Sequence, residues 1–290
     1  MPDAPPGRVL VLGDLLVDVV ARPVGPLRVG SDTAAEVRLA GGGSAANTAA
    51  WIARAGGAVA LLAAVGDDPL GAVAREELAT AGVDLVGPVL AGVATGTCVV
   101  IVGPDGERTM LPDRGANDAL PVTAVGTAVP GAAWLHVSGY ALLHAGSRAA
   151  GVAALAAARE RGIPTSVDAA SSGPLRDLGA DAVLALVEGI DVLFANADEL
   201  AALGGLDAVL AVGIGAVVRK DGAAGATWAG GATSVAVPAA PAEVVDTTGA
   251  GDALAAGFLV ATLAGATPGD ALTAGATLAA RAVSRLGARP

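Results

Sequence analysis

Cysteine is almost missing from this chain: Cys98 is the single one in 290 residues. No intrachain disulfide can form, and a reducing, cytoplasmic setting is the simplest reading. Aromatic residues make up only 2%, so the core must be built from Ala, Val and Leu. Lysine occurs once, at Lys220, and the other cations are arginines. With a formal net charge of −11, no basic face is visible to neutralise a nucleic-acid backbone, so nucleic acid is an unexpected partner. The acidity leaves room for a nucleotide ligand, because a divalent metal offsets phosphate charge locally. Two histidines, His136 and His144, and one cysteine cannot supply a common zinc site. The longest apolar runs are broken by Gly, Asp or Arg, so none reads as a membrane span. Met1 to Gly7 is Pro-rich and lacks the basic-then-apolar pattern of a signal peptide. Neither a Gly-x-x-x-x-Gly-Lys-Ser/Thr loop nor a Gly-x-Ser-x-Gly elbow occurs.

What the chain does hold is apolar and rhythmic. Hydrophobic residues make up 53% and glycine contributes 42 positions, enough for one large α/β domain. Buried strands are predicted at Val9 to Leu12, Val59 to Val65, Trp134 to Val137, Ile163 to Val167, Val192 to Ala195 and Ala216 to Val218. Helices are predicted between them. One carries Leu70, Val73, Ala74 and Leu78 on one face, with Arg75, Glu76 and Glu77 elsewhere, and ends at Gly82. Another runs from Ser147 to Arg161, closed by Gly162 and Pro164. This alternation predicts a mainly parallel sheet with helices on both faces. Two segments break it: 17–39, rich in Pro and Gly, and 95–113, which alternates around a Pro104-Asp105-Gly106 turn. Both suit a small β flap over the end of the sheet, inserted in a single domain spanning 1–290.

The densest chemistry lies in Asp246-Thr247-Thr248-Gly249-Ala250-Gly251-Asp252, just before an apolar stretch, Ala253 to Ala264, that reads as a buried helix. A helix N-terminus in a Gly-rich turn offers unpaired N–H groups and the positive dipole end, an anion site. A carboxylate there can take the proton of an attacking hydroxyl, and phosphoryl transfer needs little beyond positioning, charge stabilisation and a base. The alternative is that Asp252 merely caps the helix. Ala40-Gly41-Gly42-Gly43-Ser44-Ala45-Ala46-Asn47 is the second unusual string. A tight Gly turn lets a sugar approach the backbone, and the Asn47 amide both donates and accepts. Here too a plain turn with Asn47 as cap is open. Gly41-x-Gly43-x-x-Ala46 also meets the relaxed dinucleotide fingerprint, but Glu36 to Leu39 alternates like an exposed strand and Asp67 stands too far away for that role.

The full Asp246–Asp252 string resembles the C-terminal signature of the ribokinase (PfkB) type of sugar kinase, and Gly42-Gly43…Asn47 is similar to the N-terminal one. The resemblance covers nearly the whole chain, including Gly13-Asp14-Leu15-Leu16-Val17-Asp18, Gly66 to Gly71, Asn196-Ala197-Asp198-Glu199 and Lys220 to Gly225. It implies a Rossmann-like sheet with a β lid, and an ATP- and magnesium-dependent kinase of a small sugar or, as a close variant, a nucleoside. Asp252 would be the base and Gly249, Ala250 and Gly251 the anion hole. Asp18, Gly42, Gly43 and Asn47 would hold substrate, with Arg114 facing an acidic or phosphorylated sugar or simply solvent. Asn196 and Glu199 would serve magnesium and phosphate, Asn196 also being a natural helix cap with Glu199 as its partner. Lys220, Gly222 and Gly225 would lie along the nucleotide. Asp246 and Thr248, with carbonyls of Ala282, Arg285 and Gly287, match a potassium site, while a purely local role tying down the turn is open for Asp246. A homodimer through the lid is also implied. Ser44 and Leu16 depart from ribokinases proper, which makes ribose a less favoured substrate. A nicotinamide-dependent oxidoreductase and a non-catalytic sugar-binding protein are the distant alternatives.

Overall fold

The computed structural model describes residues 7–103 and 107–290, so the predicted Pro104-Asp105-Gly106 turn lies outside the described residues. The chain opens with β1 (Arg8–Leu12), whose Leu10 and Leu12 face one side of the sheet and Val9 and Val11 the other. Then come two lid strands, β2 (Leu16–Pro23) and β3 (Ala35–Gly42), followed by α1 (Ser44–Arg54). The predicted Val59 to Val65 strand is two strands, β4 (Val59–Leu62) and β5 (Val65–Gly66). Next are α2 (Pro69–Thr80) and the short β6 (Asp84–Leu85) and β7 (Val89–Leu90). The other half of the lid follows, β8 (Thr97–Val102) and β9 (Arg108–Asp113).

The next elements are α3 (Thr123–Ala128), β10 (Ala132–Ser138), α4 (Gly139–Leu143), α5 (Ala145–Glu160) and β11 (Thr165–Asp168). After them come α6 (Ser172–Leu178), α7 (Ala180–Val187), β12 (Val192–Asn196), α8 (Ala197–Ala202), α9 (Leu206–Ala211) and β13 (Ala216–Lys220). The chain finishes with β14 (Ala226–Gly230), β15 (Thr233–Val237), α10 (Ala250–Leu263) and α11 (Pro268–Val283). From α3 to β13 strands alternate with helices as the sequence predicts, whereas β14 and β15 extend the sheet as an unpredicted antiparallel pair.

Among the described residues, nine strands form the main sheet in the order β15-β14-β13-β12-β11-β10-β1-β4-β6. Pairing is parallel from β13 to β6 and antiparallel at β13–β14 and β14–β15. Helices α1, α2, α10 and α11 bury one face, through Trp51, Leu78, Phe258 and Leu272. Helices α3 to α9 bury the other, through Val125, Leu142, Leu155 and Leu184. Covering both faces is what parallel strands without polar alternation require. On α2 the predicted face needs correction. Gly71, Ala74 and Leu78 are buried, Val73 is 49% exposed, and Glu77 turns inward to meet Arg289 at 3.2 Å. A narrow face suffices because Gly71 lets the helix approach Gly66 and Thr95 closely.

The lid is a separate four-stranded sheet in the order β3-β2-β8-β9. β3 continues past the predicted Leu39 edge to Gly42, directly into the first turn of α1. Register pairs Asp18 with Ala40 and Cys98, and Cys98 with Pro112, so these share a face. Cys98, Val100 and Val102 are buried on it, while Val37, Leu39, Val99 and Leu111 on the other face are exposed. Asp68 anchors the lid's base: its carboxylate caps α2 at Gly71 (2.7 Å) and accepts from the amide and hydroxyl of Thr95, both at 2.7 Å.

Candidate active site

A cleft of about 920 Å³ runs between the inner lid and the carboxyl ends of the main strands. That is where open α/β sheets place ligands, because βα turns diverge there. Asp14 follows β1, Tyr140 follows β10, Asp168 ends β11, Asn196 ends β12 and Lys220 ends β13, and all line the cleft.

Asp252 is the third residue of α10 and not its cap; the cap position is Gly249, at φ 76°. A side chain at Gly249 would be strained and would strike the Ala288 backbone. The first turn leaves the amides of Gly251 and Asp252 without intrahelical acceptors, while the Ala250 amide turns back to the Thr247 carbonyl at 3.3 Å. Two side chains of α1 hold the carboxylate. Ser44 Oγ donates to Asp252 Oδ1 at 2.8 Å and Asn47 Nδ2 to Oδ2 at 3.1 Å. Burial, followed by the charge of Asp168, pushes the Asp252 carboxyl up to about 6, against the opposing effects of Ser44, Asn47 and Lys220. Asn47 is interior to α1, whose cap is Gly43, so it does not cap that helix.

Asp18 projects from the inner face of the lid beside Gly42, where any Cβ would land on its carboxylate. Burial raises Asp18 to about 6, with Arg289 pulling down and Glu77 pushing up. Arg289 is a residue that the sequence analysis did not single out. Its side chain is 7% exposed and pairs with Glu77 at 3.2 Å. It also donates to the Gly42 carbonyl at 2.6 Å and to Asn47 Oδ1 at 3.2 Å. Arg114 is buried, not solvated. It pairs with Asp14 at 2.5 and 3.0 Å and with Asp118 at 2.6 Å, and reaches Ser147 Oγ at 3.2 Å. The guanidinium expected to face an acidic sugar is thus committed to protein acceptors in the cleft wall.

Beside the Gly251 backbone, Lys220 Nζ lies 2.9 and 3.0 Å from the Asp168 oxygens and 3.6 Å from Glu199. Burial works against the Lys220 charge, but the two carboxylates outweigh it and hold the ammonium above the ordinary lysine range. Asn196 and Glu199 form a reciprocal capping box at α8, with bonds of 2.8 to 2.9 Å. Asp168 was missed, although its place directly after the predicted Ile163 to Val167 strand marks it as a strand-end acid. Its Oδ1 accepts the amide of Ala170 at 2.9 Å, and Ala170 is the one described non-glycine residue at positive φ, 72°. Such strain concentrates where a site needs a fixed backbone. Gly222 and Gly225 line the cleft on the turn between β13 and β14, opposite Ala276, Ala280 and Val283 of α11. These small apolar groups form a slot suited to a flat base.

Behind the glycine turn, Asp246 accepts the Thr248 amide at 2.7 Å and the Gly287 amide at 2.9 Å. Gly287 therefore meets Asp246 through its N–H, and the Ala282 carbonyl already accepts from the Arg285 amide at 3.3 Å. Arg108, from the lid, pairs with Asp246 at 2.5 Å and also bonds Thr248 Oγ. Burial raises the Asp246 carboxyl, but these donors outweigh it and hold the group below its usual range. The residues present do not fit a monovalent cation, because a guanidinium stands at its carboxylate. His136 is a packing residue: it is buried against Phe194 with Nδ1 2.8 Å from Ser166 Oγ, and burial lowers it to about 4.

A doubly covered parallel sheet, a β lid and a carboxylate at a glycine-rich helix start define a phosphotransferase of ribokinase-like fold. The profile of the pfkB family carbohydrate kinases matches residues 7–290, and the chain belongs to that family. It is 36% identical to an ATP-dependent ribose-1-phosphate kinase of Halopiger xanaduensis, covering 91% of this chain and 86% of the relative. It is 34% identical to a fructokinase of Klebsiella pneumoniae, over 87% of this chain and 83% of that one. The crystal structure of an adenosine kinase from Sinorhizobium meliloti superposes with a TM-score of 0.88 at 28% identity, covering 98% and 96% of the two chains. The chain is therefore a carbohydrate kinase that phosphorylates a hydroxyl group of a small sugar or sugar-like substrate at the expense of ATP.

Proposed function

We propose that Asp252 is the general base, that substrate lies under the lid against Asp18, Gly42, Gly43 and Asn47, and that ATP lies along Lys220 to Gly225. The observation that carries this is the seat of Asp252. It is held by Ser44 and Asn47 at 2.8 and 3.1 Å, between the lid and the strand ends. A substrate hydroxyl brought to the free edge of this carboxylate would lose its proton as it attacks the γ-phosphorus. Within the Gly249 to Gly251 turn the Ala250 amide is engaged by Thr247, so the free N–H of Gly251, with that of Asp252 beside it, would stabilise the charge on the transferring group. Lys220, neutralised by Asp168 and Glu199, would keep that end of the cleft ordered without holding substrate directly.

Magnesium would neutralise charge between the phosphates. Asp168 and Glu199 are already paired with Lys220 and Asn196, so these residues would meet the ion only through its waters, with the nucleotide's phosphates as its direct ligands. The cations that act on the cleft's Asp14, Asp18, Asp168 and Asp252, among the described residues, include Arg114, Lys220 and Arg289, and all three are ion-paired to protein carboxylates. That balance favours a neutral, polyhydroxylated acceptor over a sugar phosphate. The cytoplasm, where ATP and reduced thiols are maintained, is the compartment in which we place it. The exposed apolar outer lid face, with Val37, Leu39, Val99 and Leu111, supports a lid-to-lid homodimer, which sedimentation would test.

The experiment is a coupled ADP-release assay over free pentoses, free hexoses, sugar phosphates and nucleosides, with substrate-free ATP hydrolysis subtracted. The highest kcat/KM is expected for a free sugar. Preference for a sugar phosphate would overturn the charge argument, and turnover only with nucleosides would move the chain to the nucleoside kinases of the fold.

A further inference from the structure

We infer that Arg108, on lid strand β9, is a positioning residue for phosphoryl transfer. Its guanidinium supplies the fixed positive charge behind the Gly249–Gly251 turn, so that lid placement and turn order form one equilibrium and added potassium is not required. The inference rests on that turn being the phosphoryl-binding element.

The turn starts at Asp246, and three separate parts of the chain meet on this one carboxylate. Oδ1 takes the Thr248 amide at 2.7 Å and the Arg108 guanidinium at 2.5 Å; Oδ2 takes the Gly287 amide at 2.9 Å. A second guanidinium nitrogen bonds Thr248 Oγ. The side chains of Asp246 and Arg108 are 4% and 19% exposed, so the pair is poorly screened by solvent. A planar fork engaging two partners fixes direction as well as charge, which a spherical ion does not.

Arg108 reaches the turn from the inner lid face, across a small cavity of about 230 Å³ that both elements line. It is joined to the core through this contact, while the strand that carries it is paired only within the lid sheet. Lifting the lid therefore removes the cation from the turn, and bringing it down restores it. A monovalent ion at Asp246 would face a like charge across a single carboxylate. The turn has its counter-charge built in, on the element that also covers the substrate.

The test compares wild type, Arg108→Met and Arg108→Lys. ADP release is followed in potassium, sodium or tris chloride at fixed ionic strength, alongside melting temperatures in the same salts without nucleotide. Wild type is expected to respond by less than about twofold to potassium. Arg108→Met is expected to lose roughly tenfold or more in kcat, approaching the 10²–10³ of a lost oxyanion donor, with a smaller change in KM for ATP. Potassium, more than sodium, should partly restore its kcat and raise its melting temperature. Arg108→Lys should keep intermediate activity. Several-fold activation of wild type by potassium would overturn the inference. So would wild-type kcat in Arg108→Met, or a folded Arg108→Met whose loss no salt reverses. If Arg108→Met does not fold, the wild-type salt response together with Arg108→Lys decides. ADP release by wild type, present or absent, separately reports on the kinase assignment.

Discussion

Asn47 donates its amide proton to Asp252 across 205 positions of sequence, at 3.1 Å. The orientation is fixed from behind, because Arg289 donates to the oxygen of the same amide at 3.2 Å. Asn47 is thus both a cleft-lining group and a support for the proposed base. Asn47→Ala is expected to lower kcat as well as raise sugar KM, with ATP affinity kept. A rise in KM alone, at unchanged kcat, would show that it only binds substrate.

Asp252→Asn is expected to reduce kcat by about 10²–10⁴, the span for a lost general base. Nucleotide binding by calorimetry and the melting temperature should stay close to wild type, since the amide can still bond Ser44. A purified variant with near wild-type kcat removes Asp252 from the chemistry.

The pH dependence follows from the carboxyl's raised value of about 6. The proposed base works ionised, so kcat/KM, which reports the free enzyme, should be flat above that value and fall about tenfold per unit below it. Ser44 and Asn47 donate to the ionised form and so lower the value. Ser44→Ala should therefore move the acid limb to higher pH, measured as kcat/KM for the sugar at saturating ATP. A limb that stays put, or moves down, contradicts the assignment.

Asp18→Ala should mainly raise sugar KM and leave ATP affinity alone, because it removes hydrogen bonds made before as well as during transfer. The Asp18 carboxylate packs against Gly42 and lines the cleft, on the side proposed for substrate. Equal losses of sugar and ATP binding in calorimetric titrations would break the map into two halves.

Lys220→Met should destabilise the fold by about 3–5 kcal/mol, the usual result when one partner of a buried ion pair is removed. Asp168 and Glu199 are only 6% and 4% exposed beside it. Denaturant unfolding measures this directly, and a loss under about 1 kcal/mol would mean the pair is dispensable.

Much of the frame was legible because buried parallel strands are short apolar runs bounded by polar or glycine residues. Val9 to Leu12 and Val192 to Ala195 are found where periodicity puts them. The start of α10 at Gly249 was legible from Gly-Ala-Gly-Asp, and the box of Asn196 and Glu199 from their spacing alone. What stayed hidden depends on contacts between distant positions. Val73 matches the helical period, yet it faces solvent because α2 packs through a narrow strip. The partners of Lys220, Arg114, Arg108 and Arg289 are set by where strand ends and lid converge, which no local pattern encodes. Asp168 was within reach, as an acid closing a buried strand.

The joining of Asp252 to Ser44 and Asn47, and of Arg289 to Gly42 and Asn47, has a consequence for how the protein becomes active. These contacts span 205 to 247 positions, while most strand pairs of the main sheet join neighbours in sequence. Loops that long close late, because their entropy must be met before the contact rewards it. During synthesis the first two hundred residues can order their strands and helices, yet the proposed base has no seat until α10 docks on α1. In refolding, the far-ultraviolet signal should therefore recover ahead of turnover.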